Sequence, residues 1–387
     1  MTVFLTSFYG IASIFFKIIK INSKLRSSRI IKTYPSLQNN AMQSQTTQKN
    51  KQITKKQIIV LGTGGTIAGK SASATDNVDY VASEVGVETL LAAIPALADA
   101  AGKASFAGCE LICEQVAQVD SKDMTFEVWQ RLLARCMYWL SQPQVQGIVI
   151  THGTDTLEET AFFLHSVLET SKPVVLTCAM RPSTAVAPDG PQNLLDALAV
   201  ASSDQIKAVV AVCASTIHSA VDVQKVHNYR LDAFSSGDAG VLGYVKEGKL
   251  DIYRKYESNS RLAGVFIASA AIKNIVKMAS LPRVEIVLNH SGATGAIVEA
   301  LLAQPKTATS NQLAGIVVAA TGNGTISKEL EISLQKAEAA GVVVWRSTRC
   351  VFGTLVGKAE TQFGDSGGLI PVKARIALML QLAAQAI

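Results

Sequence analysis

From Gln57 to the end of the chain, short apolar runs rich in β-branched residues alternate with stretches of helical period. The runs QIIVL, QGIVI, PVVLTC and KAVVAVC read as strands, and VETLLAAIPALADAA, LEETAFFLHSVLE and NLLDALAVAS between them read as helices. A strand apolar at every position is buried on both faces, and strands joined through helices run parallel. The pattern predicts an α/β fold in which a mostly parallel sheet is covered by helices on both faces. The helix after QGIVI is the best defined. Thr156 and Glu159 have the spacing of a capping box, Leu157, Ala161, Leu164 and Leu168 share one face, and Pro173 blocks continuation. Residues 246–282 lose the alternation and carry many charges, which predicts a connector. After Pro282 the alternation resumes with VEIVL, TGAIVEALLAQ, AGIVVAA, ISKELEISLQKAEAAG, VVVW and KARIALMLQLAAQ. The expected organisation is two α/β domains, 57–245 and 283–387, behind a leader of residues 1–56.

Composition removes other classes. The chain has 387 residues, 48% apolar and 17% charged, and its 27 glycines and 10 prolines fall in no repeated tract, which excludes collagen-like and low-complexity chains. The formal charge of +6 suggests nucleic acid until it is divided along the chain. Residues 1–56 hold ten Lys/Arg and no acid, so 26 basic residues face 30 acidic ones in 57–387. The body is mildly acidic, and the chain, at 6% aromatic, has few side chains to stack on bases, so no nucleic-acid partner is expected. The uncharged run Met1–Phe16 is shorter than the roughly 20 residues that span a bilayer, and its basic residues follow it, so no stable membrane span is expected. The leader reads as a weak membrane anchor, an unusual export signal or the product of a start assigned too early, the last favoured because the charges balance from Met42 onward. Cysteines in buried-looking strands and the poor signal favour a cytoplasmic location, and a periplasmic one follows if the leader is a real export signal. The six cysteines form no CxxC pair and no zinc spacing, so no metal is expected.

Ligands of an open parallel sheet bind at the carboxyl ends of its strands, which selects two loops. The first, Leu61–Gly69 (LGTGGTIAG), leaves QIIVL through glycines. It is not a dinucleotide fingerprint, because Ile67 stands where G-x-G-x-x-G needs glycine. The second is Thr151–Thr156 (THGTDT). Each presents a threonine hydroxyl, Thr66 or Thr154, beside glycines that let backbone N–H groups approach a ligand. A hydroxyl attacks only when a base takes its proton and N–H donors stabilise the oxyanion. Taken singly, either threonine reads as an ordinary turn residue.

Together, LGTGGTIAG and THGTDTLEETAFFL resemble the two signatures of the bacterial-type L-asparaginase family, in the right order and separation. Tyr80 before VASEVGVETL, DSKDM at 120–124, AMRPSTA at 179–185, DGPQNL at 189–194 and ATGNG at 320–324 agree, so the resemblance covers 57–387. It implies hydrolysis of L-asparagine to L-aspartate and ammonia through a threonine acyl-enzyme, with L-glutamine as a side substrate and no cofactor. By position Thr66 is implied as the nucleophile, assisted by Tyr80 in a lid over about 67–83. Thr154 is implied to be polarised by Lys225, itself linked to Asp155. A lysine in a closed site loses solvation and becomes able to accept a proton. Ser121 is implied to hold the substrate α-carboxylate and Asp155 its α-ammonium, with Gly65, Lys122 and Gly153 lining the binding site. Glu360 in GKAETQ is implied to reach the site of a neighbouring subunit, so the expected assembly is a homo-oligomer, a tetramer with shared sites.

Three departures from the family pattern stand out. Lys122 follows the binding serine, and an ammonium 4 Å from the substrate's own would cost about 1 kcal/mol even at water-like screening, so it must point away or weaken binding. Gly292 replaces an asparagine common in relatives, and TRCVFGT at 348–354 replaces SRVPTG. His152 reads as a structural loop residue rather than part of a triad, and Asp189 and Asn193 as cap and packing of a helix beginning at Pro191. Two other readings are an amidase module of tRNA-dependent amidotransfer, which needs an extra β domain before the first loop, and a non-catalytic amino-acid sensor, which would lose Thr66, Thr154, Asp155 or Lys225.

Overall fold

Ile58, Ile59, Val60 and Leu61 are all fully buried, so the strand they form, β1 (Gln57–Gly64), must have helices above and below it. The structure, a computed structural model, describes residues 55–98, 103–255, 275–305, 312–356 and 363–385. After β1 come a small hairpin of β2 (Lys70–Ser71) and β3 (Tyr80–Val81), helix α1 (Val87–Ala92), the edge strand β4 (Ser105–Phe106) and the long β5 (Cys109–Val119). Next are α2 (Phe126–Leu140), β6 (Val145–Thr151), α3 (Leu157–Val167), β7 (Val174–Thr177), α4 (Gly190–Ser202) and β8 (Val209–Cys213). Then follow β9 (Thr216–Ser219), the two-stranded ribbon β10 (Gln224–Lys225) and β11 (Phe234–Ser235), and the hairpin β12 (Gly243–Lys246) and β13 (Lys249–Ile252).

The large sheet has the order β13-β12-β9-β8-β7-β6-β1-β5-β4. Its centre, β8 to β5, is parallel, and the strands at both ends are antiparallel. A second, fully parallel sheet follows: β14 (Arg283–Leu288), β15 (Leu313–Ala320), β16 (Val343–Thr348) and β17 (Gly364–Asp365), in that order. It carries the helices Ala296–Leu302 and Lys328–Ala339 and the C-terminal helix Pro371–Gln385. The expected two-domain α/β architecture is what the chain adopts.

Alternate residues of β1 serve two cores. Ile58 and Val60 pack with Leu194 and Leu198 of α4 and Leu91 of α1, while Ile59 and Leu61 pack with Leu132 and Leu133 of α2 and with Phe162 and Phe163 of α3. The second core continues into the other domain through Val284, Val317, Ile376 and Leu378. Helix α3 is therefore pressed between the large sheet and the C-terminal helix and is buried nearly all round, which its expected single apolar face did not convey. Each fully buried Phe or Leu contributes about 1.5–3 kcal/mol. The C-terminal helix thus joins the two sheets into one hydrophobic unit.

Four expectations need correction. The helix over VETLLAAIPALADAA stops at Ala92, because Pro95 excludes helical geometry at Ile94 and a short 3-10 turn, Pro95–Leu97, follows. Strand β5 has no counterpart in the apolar runs, since Glu110, Glu114, Gln115 and Gln118 interrupt it. These residues are engaged: Glu114 takes Arg135 and Trp139, and Gln115 Oε1 accepts the Val87 N–H at the start of α1. The expected connector begins as sheet, because β12 and β13 carry the large sheet to Ile252. The capping box at Thr156 does not form, for a reason given below. Among the described residues no helix is long and apolar enough to cross a membrane.

Candidate active site

Strands β1 and β6 are parallel neighbours, Leu61 opposite Ile150 and Gly62 opposite Thr151, so the two threonine loops leave the sheet side by side. They touch through glycine. A Cβ on Gly65 would lie 2.2 Å from Gly153 Cα, and one on Gly153 would lie 2.4 Å from Ser121 Oγ. Gly65 also has φ +82°, a region disfavoured for side-chain-bearing residues. The absence of side chains at Gly65 and Gly153 is what brings the loops of Thr66, Thr154 and Ser121 to one place.

Thr66 opens a 3-10 turn, Thr66–Ala68, and is 6% exposed. Its hydroxyl lies 2.6 Å from Tyr80 Oη. Tyr80 reaches it because β2 and β3 fold the segment after the loop back as a hairpin, pairing Ser71 with Tyr80. Burial holds the Tyr80 phenol above its usual range, so at neutral pH it keeps its proton. The Gly65 N–H is engaged by Val119 O (3.1 Å) and Ser83 Oγ (2.7 Å), so it is held within the protein rather than offered to a ligand. Ser83 was not singled out from the sequence. It sits at φ +63° and also donates to Val119 O at 2.6 Å, fixing the end of the hairpin to β5.

Thr154, 5% exposed, faces a lysine from a distant segment. Lys225 Nζ donates to Thr154 Oγ1 (2.8 Å) and to Asp155 Oδ1 (2.7 Å). The Lys225 side chain is 17% exposed and that of Asp155 is 55% exposed, so the lysine is shielded while the carboxylate opens to solvent. Ser121 Oγ accepts the Asp155 N–H at 3.2 Å. The Thr156 hydroxyl donates to Ser121 O at 2.7 Å, which is why it is not available to cap α3; Glu159 and Thr160 donate instead to the Thr156 carbonyl. Lys122 turns its ammonium to Asp120 (3.1 Å) and Asp123 (2.6 Å) at the surface. Surface pairs of that kind are worth at most about 1 kcal/mol, so Lys122→Gln is expected to change the KM for the substrate by less than about fivefold, measured by steady-state kinetics.

His152 has the structural role read from the sequence. It is fully buried; Nδ1 donates to Gly153 O at 2.7 Å, and Nε2 lies 2.8 Å from the Thr160 hydroxyl, which accepts Trp129 Nε1–H at 2.9 Å. With its oxygen accepting from Trp129, Thr160 donates to Nε2, and the ring is neutral. Neither Trp129 nor Thr160 was foreseen, since each looks like an ordinary helix residue. Thr160→Val keeps the shape and orphans two buried polar atoms, so a loss of about 2 kcal/mol or more in urea unfolding is expected.

Burial lowers His152, His165 and His218 each to about 4. Between pH 6.5 and 4 the unfolded chain binds protons at these positions that the folded chain refuses. Their contribution is complete above 6.5 and is lost as pH falls toward 4. Glu158 and Glu159, raised by burial, act in the opposite sense. The expected net result is a melting temperature that declines from pH 6.5 to 4; a rise across that interval would contradict it.

Asp189 stands at the start of α4 but does not cap it. Its carboxylate accepts the N–H groups of Met180 (2.9 Å) and Arg181 (3.0 Å), holding the loop after β7. Asn193 links Cys178 O to the Ala214 N–H, tying the ends of β7 and β8. Gly292 has φ +74° with open space around its Cα. Cys109, Cys136, Cys178 and Cys213 are buried free thiols, while Cys350 is exposed. Glu360 lies outside the described residues.

Two buried threonine hydroxyls at the carboxyl ends of neighbouring parallel strands, one against a tyrosine and one against a lysine–aspartate pair, define an α/β protein with a threonine-centred site. The family model described as "Asparaginase, N-terminal" matches residues 57–258, and that described as "Glutaminase/Asparaginase C-terminal domain" matches 283–386. The chain is 36% identical to L-asparaginase 2 of Escherichia coli (strain K12), over 84% of this chain and 88% of that protein. It is also 36% identical to the glutaminase-asparaginase of Pseudomonas fluorescens biotype A, over 84% of this chain and 86% of the relative. Among solved structures, a probable cytoplasmic L-asparaginase from Campylobacter jejuni superposes with a TM-score of 0.74 at 36% identity, covering 85% of this chain and 95% of that one. The chain belongs to the asparaginase family.

Proposed function

We propose that the chain hydrolyses L-asparagine to L-aspartate and ammonia through a threonine acyl-enzyme, with side activity on L-glutamine. The observation that carries the reading is the contact of Lys225 with both Thr154 and Asp155, next to the Thr66–Tyr80 pair. Thr66 Oγ1 attacks the side-chain amide carbon, and its proton passes to Tyr80 Oη. Burial keeps Tyr80 a neutral phenol, which can take that proton only by handing its own on, so Tyr80 acts as a relay. Glu360 of a neighbouring subunit is the proposed group beyond it. Collapse of the tetrahedral adduct breaks the C–N bond as the proton taken from Thr66 returns along Tyr80 to the nitrogen, which leaves as ammonia. Water then attacks the ester carbon while Thr154, held by Lys225 Nζ, takes the water's proton and releases its own; the Thr66–acyl bond breaks and that proton restores the Thr66 hydroxyl.

Recognition uses the fixed groups of an amino acid. The half-exposed Asp155 carboxylate suits an α-ammonium. Ser121 Oγ accepts the Asp155 N–H, which leaves its own proton for an α-carboxylate. A tetramer with sites shared between subunits, and a cytoplasmic location suited to four buried free thiols, complete the proposal. Ammonia release from L-asparagine and L-glutamine by the purified chain tests it. Turnover of asparagine exceeding that of glutamine is expected; binding of asparagine without ammonia release would replace the enzyme with an amino-acid sensor.

A further inference from the structure

Behind Lys225 lies a layer of buried charge that the proposed chemistry does not use. Lys373, on the C-terminal helix, is 1% exposed, and Glu158, in the first turn of α3, is 9% exposed. Burial pushes Lys373 down to about 8 and Glu158 up, and the charge of each offsets part of the other's shift. Opposite charges buried this way are seldom better for stability than apolar residues of the same volume, so packing alone does not account for them.

Their hydrogen bonds converge on one stretch of backbone. Glu158 Oε2 accepts the Lys225 N–H at 2.6 Å. Lys373 Nζ donates to Val221 O at 2.8 Å and also to Val223 O. All three contacts fall within residues 221–225, which end at the lysine facing Thr154. The stretch is also held by the two-residue pairing of β10 with β11, by the turn in which Asp222 and Val223 bond Ser219, and by Arg254 on Asp222, but the contacts of Glu158 and Lys373 are the ones that tie it to α3 and to the C-terminal helix. Glu158 follows Thr154 and Asp155 on the same loop and helix start. One segment therefore grips Lys225 at both ends, with Thr154 and Asp155 on its ammonium and Glu158 on its backbone.

We infer that Glu158 and Lys373 are positioning residues for Lys225, so that the C-terminal helix of the second domain sets the placement of the lysine in the first. The inference rests on the reading of Lys225 as the group that acts on Thr154. A side chain held to the backbone at its root has fewer ways to miss a hydroxyl 2.8 Å away, and loss of about 1 Å in placement is enough to slow a reaction about a hundredfold.

The test compares kcat and KM for L-asparagine, by ammonia release, in wild type, Lys225→Met, Glu158→Asp, Glu158→Gln and Lys373→Met, with a thermal melt of each. Aspartate keeps the charge opposite Lys373 but withdraws the acceptor from the Lys225 N–H; glutamine keeps the acceptor and removes the charge. The expected result is that Glu158→Asp loses about 10- to 100-fold in kcat, the range of one charge-assisted hydrogen bond, with KM within about twofold. Glu158→Gln recovers most of that loss, and Lys373→Met lowers kcat without raising KM. Wild-type kcat in Glu158→Asp overturns the inference, as does an equal loss in both Glu158 variants that merely follows their melting temperatures. If Glu158→Asp does not fold, Lys373→Met decides, and wild-type kcat there overturns it. Turnover retained by Lys225→Met would instead show that the reading of Lys225 itself has failed.

Discussion

Replacing Thr66 by alanine is expected to abolish turnover of L-asparagine, with a fall in kcat of about a thousandfold or more, the scale seen when an enzyme loses its nucleophile. The variant should fold normally, because the lost hydroxyl has Tyr80 Oη as its partner and the hairpin carrying Tyr80 has further anchors. Glu84 and Val85 both donate to Ala68 O, and Ser83 binds Val119 O. Two further substitutions separate the roles. Tyr80→Phe keeps the ring but removes the 2.6 Å contact, and a loss of about a hundredfold is expected for a proton relay. Thr154→Ala leaves Thr66 able to attack but impairs the water step, so the chain should accumulate a covalent adduct on Thr66 that intact-mass measurement detects after mixing with asparagine. An adduct-free Thr154→Ala with unchanged kcat would reverse the assignment of the two hydroxyls.

The second large effect is expected at a position with no reactive group. Gly65→Ala places a methyl 2.2 Å from Gly153 Cα and 2.3 Å from Gly153 N, backbone that cannot swing aside as a long side chain could. The two loops must part, and separating Thr66 from Thr154 by about 1 Å is expected to lower kcat by about a hundredfold or more. The same substitution also forces alanine to adopt φ +82°, so strain has to be separated from collision. Gly108, in the turn between β4 and β5, provides the control, because its φ is +77° with nothing within 4 Å of the added carbon. Gly108→Ala is expected to cost about 1 kcal/mol of stability with unchanged kcat. Equal kinetic behaviour of the two variants would mean that strain, not the approach of the loops, governs Gly65.

Much of the site was legible before any fold was known. The glycine-flanked threonines, Tyr80, Asp155 and Lys225 were all named from the sequence, and the structure brings Thr66 to Tyr80 and Lys225 to Thr154 and Asp155. Local chemistry marks the two glycine-flanked threonines only as candidates; it is the resemblance of the two loop motifs to the family signatures that singles them out and brings in Tyr80, Asp155 and Lys225. In the sequence Gly65 reads only as a residue lining the site; the structure adds that its N–H is held by Val119 and Ser83 and that its lack of a Cβ lets the two loops meet. Lys122 was expected to crowd the substrate or turn away, and Asp120 and Asp123 show which, by drawing its charge to themselves.

The sequence by itself determined the parallel α/β plan, because runs such as Ile58–Leu61 leave a strand no solvent face, and its motifs picked out the two hydroxyls proposed to carry the chemistry. Only the tertiary structure decided what lies behind them. Helix α3 reads as a one-faced helix, yet it is enclosed by the C-terminal helix, more than two hundred residues later in the chain. That enclosure buries Glu158 and Lys373, whose bonds reach the backbone that carries Lys225, and the packing of α2 on α3 joins His152 to Trp129 through Thr160. Strand and helix patterns come from periodicity a few residues long, whereas the partner of a buried polar group is set by which distant segment is folded against it.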